Sequence, residues 1–329
     1  MSFYEVLHDT RSNSKDICIL VQLANHKRYE FIKKRIKQLN QTPYSYDVYI
    51  NLCKSIYDQD ELNGMQDQIK SDFTHVTVTL TENKGADLGQ FFAQVDYILK
   101  QERNYKYLIK LHSKTNIFWM NQLVNSLLET PEKIMENIDL FNKYKQIGMI
   151  GHARWIYPIM HKMYNNKRFT DYTRHLCSKY GLGIRDKGKK HIDQAWNTVT
   201  VTSDNVHWYV ALNPELASYG RKKPEHFIDH FNTKGRSDYR VPHPNFANHY
   251  FKDIDTFVAG TMFMCRFDII SNFFSKINIA EAYQQFESGY YEYGRISLCA
   301  HSWERMLGIM VSRQLVGCGK ETMRVWGVI

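Results

Sequence analysis

The sequence lacks the signatures of several large enzyme classes. It has no P-loop, no G-x-S-x-G and no G-x-G-x-x-G. The usual phosphate-loop, hydrolase-elbow and dinucleotide fingerprints are therefore missing. No apolar run reaches eighteen residues, so no transmembrane helix is expected. Met1 to Asp16 is polar and holds no apolar stretch of signal-peptide type. The six cysteines, Cys18, Cys53, Cys177, Cys265, Cys299 and Cys318, form no C-x-x-C pair. They read as reduced core thiols of a cytoplasmic protein, without zinc-ligand spacing. Internal repeats, low-complexity tracts, and RNA-recognition or finger motifs are also missing.

What is present is a large apolar fraction. Hydrophobic residues make up 43% of the 329, and aromatics 14%, enough for a sizeable core and unlike a disordered chain. The formal net charge is +9. Such a charge admits nucleic acid, an anionic membrane surface or anionic small molecules as partners. The basic residues form no single tract; the densest stretch is Lys179 to Lys190. Phosphorylated small ligands fit this scatter at least as well as nucleic acid, which is not expected as a partner. Peripheral membrane contact stays compatible with it.

The first half alternates strand and helix patterns. Ile17 to Leu23, Tyr46 to Leu52, His75 to Leu80 and Tyr107 to Leu111 read as strands. Arg28 to Leu39, Gln59 to Phe73 and Asp87 to Gln101 read as helices between them. This predicts an α/β fold with a mostly parallel sheet and right-handed crossovers. Helices over Phe118 to Leu128 and Pro131 to Tyr144 follow, then a strand over Ile147 to Gly151. His152 to Tyr250 is rich in Tyr, His, Asn and Lys, and reads as a mixed helix and loop insertion. Within it, Ala195 to Thr202 and Val206 to Ala211 are expected strands. Phe257 to Cys265 predicts a buried strand, Ala280 to Phe286 a helix, and Ser302 to Ser312 a helix with Ser302 as N-cap.

Four segments carry candidate chemistry. In E-N-K-G-A-D-L-G, Glu82 to Gly89, Asn83 and Gly85 suit a turn with unusual backbone angles. Asp87 is either the cap of the next helix or a carboxylate for a ribose or base, with amides nearby for phosphate. His112-Ser113-Lys114 follows the fourth strand. Lys114 is a compact cation for a diphosphate, and His112 can donate to phosphate or ligate a metal. In an open α/β sheet such strand ends border the ligand crevice. In H-S-W-E-R, His301 and Glu304 share a helix face. There Glu304 is a general base or a salt-bridge partner of Arg305 or Arg295. In F-V-A-G-T-M-F, Gly260 and Thr261 interrupt an apolar strand, a mark of close approach by a ligand or backbone. Asp253 and Asp255 form a D-x-D-like pair for which capping or solvation is the plainer role. They are also the next carboxylates to consider as base. His226 and His230 are four apart but lack the metalloprotease glutamate.

Taken in order, E-N-K-G-A-D-L-G, K-L-H-S-K-T, the helix with Trp119, F-V-A-G-T-M-F-M-C-R and H-S-W-E-R-M-L-G resemble the rhamnan synthesis F family of polysaccharide glycosyltransferases. The similarity is scattered over Ile17 to Val311 and thin between His152 and Tyr250. It implies a GT-A-like, nucleotide-diphospho-sugar transferase fold. It also implies transfer of a hexose or rhamnose-like deoxyhexose to a glycan acceptor, of the inverting type. The alternative is a non-catalytic glycan- or nucleotide-binding module of the same fold. One domain is implied over 1–329: 17–151 binds the nucleotide sugar, 152–250 is inserted on the acceptor side, and 251–329 holds the acceptor and catalytic half. Asn83, Gly85, Asp87, His112, Lys114 and Thr261 then bind the donor, and Glu304 and His301 are catalytic. Most of that fold class keeps a D-x-D for Mn²⁺ or Mg²⁺ where this chain has His112-Ser113-Lys114. A metal is therefore admissible but not required.

Overall fold

Every residue of the run Ile17–Leu23 is buried, as a strand covered on both faces requires. The computed structural model describes residues 2–10, 16–161, 166–213, 215–216, 222–251, 253–288, 291–292, 295–296, 298–313 and 324–328. The strands are β1 (Tyr4–Asp9), β2 (Ile17–Leu23), β3 (Tyr46–Cys53), β4 (Val76–Thr81), β5 (Tyr107–His112), β6 (Ile147–His152), β7 (Ile156–Pro158), β8 (Thr256–Val258), β9 (Phe263–Arg266), β10 (Tyr291–Glu292), β11 (Arg295–Ile296) and β12 (Arg324–Val328). The helices of the first half are α1 (Tyr29–Ile36), α2 (Gln59–Asp72), α3 (Asp87–Lys100), α4 (Ile117–Leu128) and α5 (Pro131–Lys143). Then come α6 (Lys167–Lys179), α7 (Gly188–Thr198), α8 (Val206–Leu212), α9 (Pro224–His230), α10 (Phe246–Tyr250), α11 (Phe267–Phe274), α12 (Ile279–Gln284) and α13 (Leu298–Arg313).

Among the described residues, eight strands form one sheet in the order β1-β4-β3-β2-β5-β9-β6-β12. β4, β3, β2 and β5 run parallel, and β9 lies antiparallel between β5 and β6. The large, mostly parallel sheet flanked by helices is thus the expected one. Alternate residues of β2 enter opposite cores. Ile17, Ile19 and Val21 meet α1, α4 and α5, while Cys18 and Leu20 share a second core with α3, α11 and α13. That second core also takes in Ile159, Leu176, Trp196, Tyr209 and Phe231 from the 152–250 region. Each such side chain contributes roughly 1.5–3 kcal/mol when fully buried. The described cysteines, Cys18, Cys53, Cys177, Cys265 and Cys299, are free and buried, and Cys318 lies outside the described residues. Among the described residues no helix is long and apolar enough to cross a membrane.

Several expectations are corrected. Neither strand expected over 195–202 and 206–211 forms: the first is the end of α7 and a loop, the second is α8, and the two helices bury Trp196 and Tyr209. Their packing into the second core overrides the strand propensity of Val and Tyr. The strand expected over 257–265 is two strands. β8 pairs with β7, and β9 enters the main sheet. Between them Gly260 has φ +89° and Thr261 φ +52°, angles that an extended strand cannot hold. Ser302 caps nothing: α13 begins four residues earlier, and Ser302 Oγ lies 2.8 Å from Thr173 Oγ1. The edge strands β1 and β12 are additions. β1 is tied down by Asp9, which accepts from Arg103 Nη2 at 3.0 Å and Tyr97 Oη at 2.8 Å.

Candidate functional site

The strand order reverses at β2, which has β3 on one side and β5 on the other. A crevice opens outside the carboxyl ends of strands at such a switch point. Here it is a cleft of about 550 Å³, bordered by Leu23, Cys53, Asn83, Asp87, His112 and Lys114. A smaller hollow of about 40 Å³ adjoins it, sharing Ala86, Asp87, Lys114 and Trp119 and adding Gly85, Gly260, Thr261, His301 and Glu304. The structure therefore brings together every candidate named for donor binding and catalysis. Asp253 and Asp255 border neither space. Asp255 is buried and accepts from Arg185, Ser312 and Arg313, and exposed Asp253 faces Lys187 at 3.5 Å. The D-x-D-like pair is thus a fold anchor beside a surface charge, not a reserve base. On α9, His230 Nδ1 meets Tyr209 Oη at 3.0 Å. Among the described residues no group of three or more His, Cys, Asp or Glu gathers.

The turn before α3 is built around its glycine. Gly85 has φ +62°, and a Cβ there would meet the Phe286 ring at 2.5 Å. Its N–H donates to Glu287 O at 2.8 Å, fixing the turn to a distant loop. The N-cap of α3 is Ala86, at φ 53°, and Asp87 is its first helical residue. The capping role is thus excluded for Asp87. Four described non-glycine residues have positive φ, and two of them, Ala86 and Thr261, border this hollow. Strain of this kind is stored where surrounding structure holds it, often at functional sites.

Lys110 is the residue that sequence reading misses. It is fully buried in β5, and its Nζ bonds to Asp87 Oδ2 and to Thr261 O, the latter at 3.1 Å. Thr261 Oγ1 donates to the same Asp87 oxygen. Asp87 is thus first a counter-ion. Burial alone would raise its pKa. The fields of His112, Lys110 and Lys114, with the Lys110 hydrogen bond, outweigh this and hold it below the usual carboxylate range. The available signal was a lysine inside a wholly apolar strand, since buried lysine is almost always paired.

His112 Nε2 lies 2.7 Å from Gly260 O. Its Nδ1 lies 3.2 Å from another carbonyl, Ser113 O; carbonyls only accept, and the shorter contact places the proton of the neutral ring on Nε2. Burial lowers its pKa to about 3, and the imidazole is neutral at ordinary pH. In this structure the Nε2–H of His112 is taken up by Gly260 O. Ser113 Oγ accepts from Ala24 N at 2.9 Å, pinning β5 to the end of β2. Lys114 Nζ sits 3.8 Å over the Trp119 ring, a cation–π contact that holds the ammonium at the junction of both spaces. Burial lowers its pKa, against the fields of Asp87 and Glu304. Glu304 Oε1 accepts from Gly260 N at 2.7 Å, and its Oε2 lies 3.6 Å from Arg305 Nη1. The Arg295 side chain lies outside the described residues.

The histidines give the fold a signed pH dependence. His112 and His152 are each lowered to about 3, first by burial. Between there and the unfolded value near 6.5, the unfolded chain binds more protons. The stability from neutral imidazoles is thus intact above pH 6.5 and lost on acidification. Thermal unfolding is expected to shift down between pH 7 and 5, by on the order of 2 kcal/mol per imidazole at pH 5. A flat melting temperature across that window would contradict the burial of both rings. The Asp87 contribution disappears only below the ordinary carboxylate range.

Compared with known protein families and curated proteins, the chain matches none.

Proposed function

We propose that this chain is a glycosyltransferase of GT-A-like fold. It moves a hexosyl or deoxyhexosyl unit from a nucleotide diphosphate sugar to a glycan hydroxyl in polysaccharide biosynthesis. The observation that carries the reading is that segments 83–87 and 112–114 border one cleft, and 260–261 and 301–304 the small hollow that adjoins it. Its volume of about 550 Å³ falls in the range of small-ligand sites. The diphosphate meets the Lys114 ammonium beside the amino end of α3, where backbone N–H groups favour anions. Lys114 then stabilises the charge on the departing diphosphate as the anomeric C–O bond breaks. Glu304, through Oε2, takes the proton of the acceptor hydroxyl as its oxygen bonds to the anomeric carbon.

The residues at the D-x-D position do not fit a divalent cation. Lys114 is itself a cation held over Trp119, Ser113 Oγ already receives Ala24 N–H, and the remaining His112 nitrogen, Nδ1, faces Ser113 O at 3.2 Å. Activity is therefore expected to persist in excess EDTA. Lys114→Ala is expected to weaken nucleoside diphosphate binding about 10- to 150-fold, the span of a charge-assisted hydrogen bond. Calorimetric titration of both proteins measures this. Abolition by EDTA with recovery on Mn²⁺, or unchanged affinity in Lys114→Ala, would overturn it. One observation favours the alternative of a binding module without turnover: Glu304 Oε1 is already committed to Gly260 N–H. Nucleotide-sugar binding with no transfer or hydrolysis, across a broad acceptor set, would establish that alternative.

A further inference from the structure

Lys114 brings an unclaimed charge to the cleft. Its Nζ makes no hydrogen bond and no ion pair among the described residues. A lysine ammonium carries three donors on a flexible four-carbon stem, so some other contact has to fix it. That contact is one aromatic face. Nζ sits 3.8 Å from the centroid of the Trp119 ring, the shortest cation–ring distance among the described residues. The ring covers one side of the ammonium and leaves donors on the other side open. Lys114 and Trp119 both border the cleft and the hollow, so the pair stands at the ligand space and not in the core.

The Trp119 ring is itself held. Its backbone N–H donates to Asn116 Oδ1 at 3.0 Å, at the start of α4. Gly260 makes room for the indole, since a Cβ there would meet it at 2.9 Å. Trp155 packs against it with ring centroids 5.0 Å apart. The Arg154 guanidinium lies 4.8 Å over the Trp155 ring. It donates to both oxygens of Glu215, each at 2.9 Å, and Arg240 donates to the same carboxylate. A ladder thus runs from Lys114 through Trp119, Trp155 and Arg154 to Glu215, and its far end lies in the 152–250 region.

We infer that Trp119 is the positioning residue of the anion site, aiming the Lys114 ammonium, and that Trp155 and Arg154 brace it from the 152–250 region; the inference rests on the cleft being the nucleotide-sugar site. The physical reason is preorganisation. An ammonium held in place before the anion arrives spares binding the cost of ordering a long side chain. A cation over an indole face is also held without a carboxylate, which would neutralise the charge that the diphosphate needs.

The test titrates GDP, UDP and TDP calorimetrically into the full chain and carries the tightest of them through the variants. Trp119→Leu is expected to weaken binding about 5- to 30-fold. Trp119→Phe keeps a ring face and is expected to recover most of that loss. In a Lys114→Ala background Trp119→Leu is expected to add no further loss, whereas a purely structural role would weaken binding in both backgrounds. Unchanged or tighter binding by Trp119→Leu, or an equal loss with and without Lys114, overturns the role of Trp119 and leaves the donor reading standing. Absence of binding by the unaltered protein overturns the donor reading itself. Trp155 borders neither space, and Trp155→Leu is expected to act in the same direction by a smaller factor, again only with Lys114 present. Unchanged affinity in Trp155→Leu overturns the brace. Should Trp119→Leu fail to fold, Trp155→Leu in the two backgrounds still decides.

Discussion

Lys110→Met is expected to destabilise the fold by about 3–5 kcal/mol, the cost of leaving one partner of a buried ion pair uncompensated. The Lys110 side chain is fully buried, and its ammonium bonds to both Asp87 and the Thr261 carbonyl. Methionine fills the stem but supplies no donor. Asp87 would then keep the Thr261 hydroxyl, the field of Lys114 and the more distant His112 ring, 3.9 Å away. A second substitution separates charge from packing: adding Asp87→Asn removes the stranded carboxylate, so the double variant is expected to regain much of the loss. Urea unfolding midpoints of the two single variants and the double variant measure this. A Lys110→Met cost below about 1 kcal/mol would place the pair among weak surface bridges and contradict its role as the post between α3 and β5.

Glu304→Gln is expected to leave fold and nucleotide binding intact while transfer falls about 10²- to 10⁴-fold, the span of general base catalysis. The geometry makes this variant informative. A glutamine oxygen still accepts from Gly260 N–H, the 2.7 Å contact that holds the side chain. Only the proton-accepting capacity is removed. If Glu304 serves structure alone, the same change lowers the melting temperature and turnover per folded molecule stays near normal. In that event the carboxylates before β8 are no substitute, because Asp255 is tied to two arginines and a serine. His301, on the same wall, becomes the group to test.

The parts legible from sequence are those whose physics is local. Ile17–Leu23 and Tyr107–His112 are largely apolar because helices cover both faces, and such runs read as buried strands without knowledge of their partners. The turn at Gly85 and the ends of β2 to β5 follow from periodicity and punctuation. The parts not legible depend on partners far along the chain. β1 is polar because it is an edge, and its Asp9 is held by Arg103, Tyr97 and Thr77. The helices α7 and α8 carry strand-forming residues whose burial against the aromatics at 231, 246 and 251 decides their state. Lys110 sits in the strand pattern and shows its charge partner only when α3 is docked. The roles of Asp87 and His112 shift for the same reason: each has its strongest acceptor or donor already spent on a residue 23 or 148 positions away.

The central claim is that the cleft between β2, β5 and α3 holds the diphosphate of a nucleotide sugar. The most direct measurement is a crystal structure of the protein with a bound nucleoside diphosphate. Phosphate oxygens are expected within hydrogen-bonding distance of Lys114 Nζ, beside the amino end of α3. A nucleotide seated instead in the groove near Asn40, Tyr44 and His75 at the opposite end of the strands, or no nucleotide bound at saturating concentration, would contradict it.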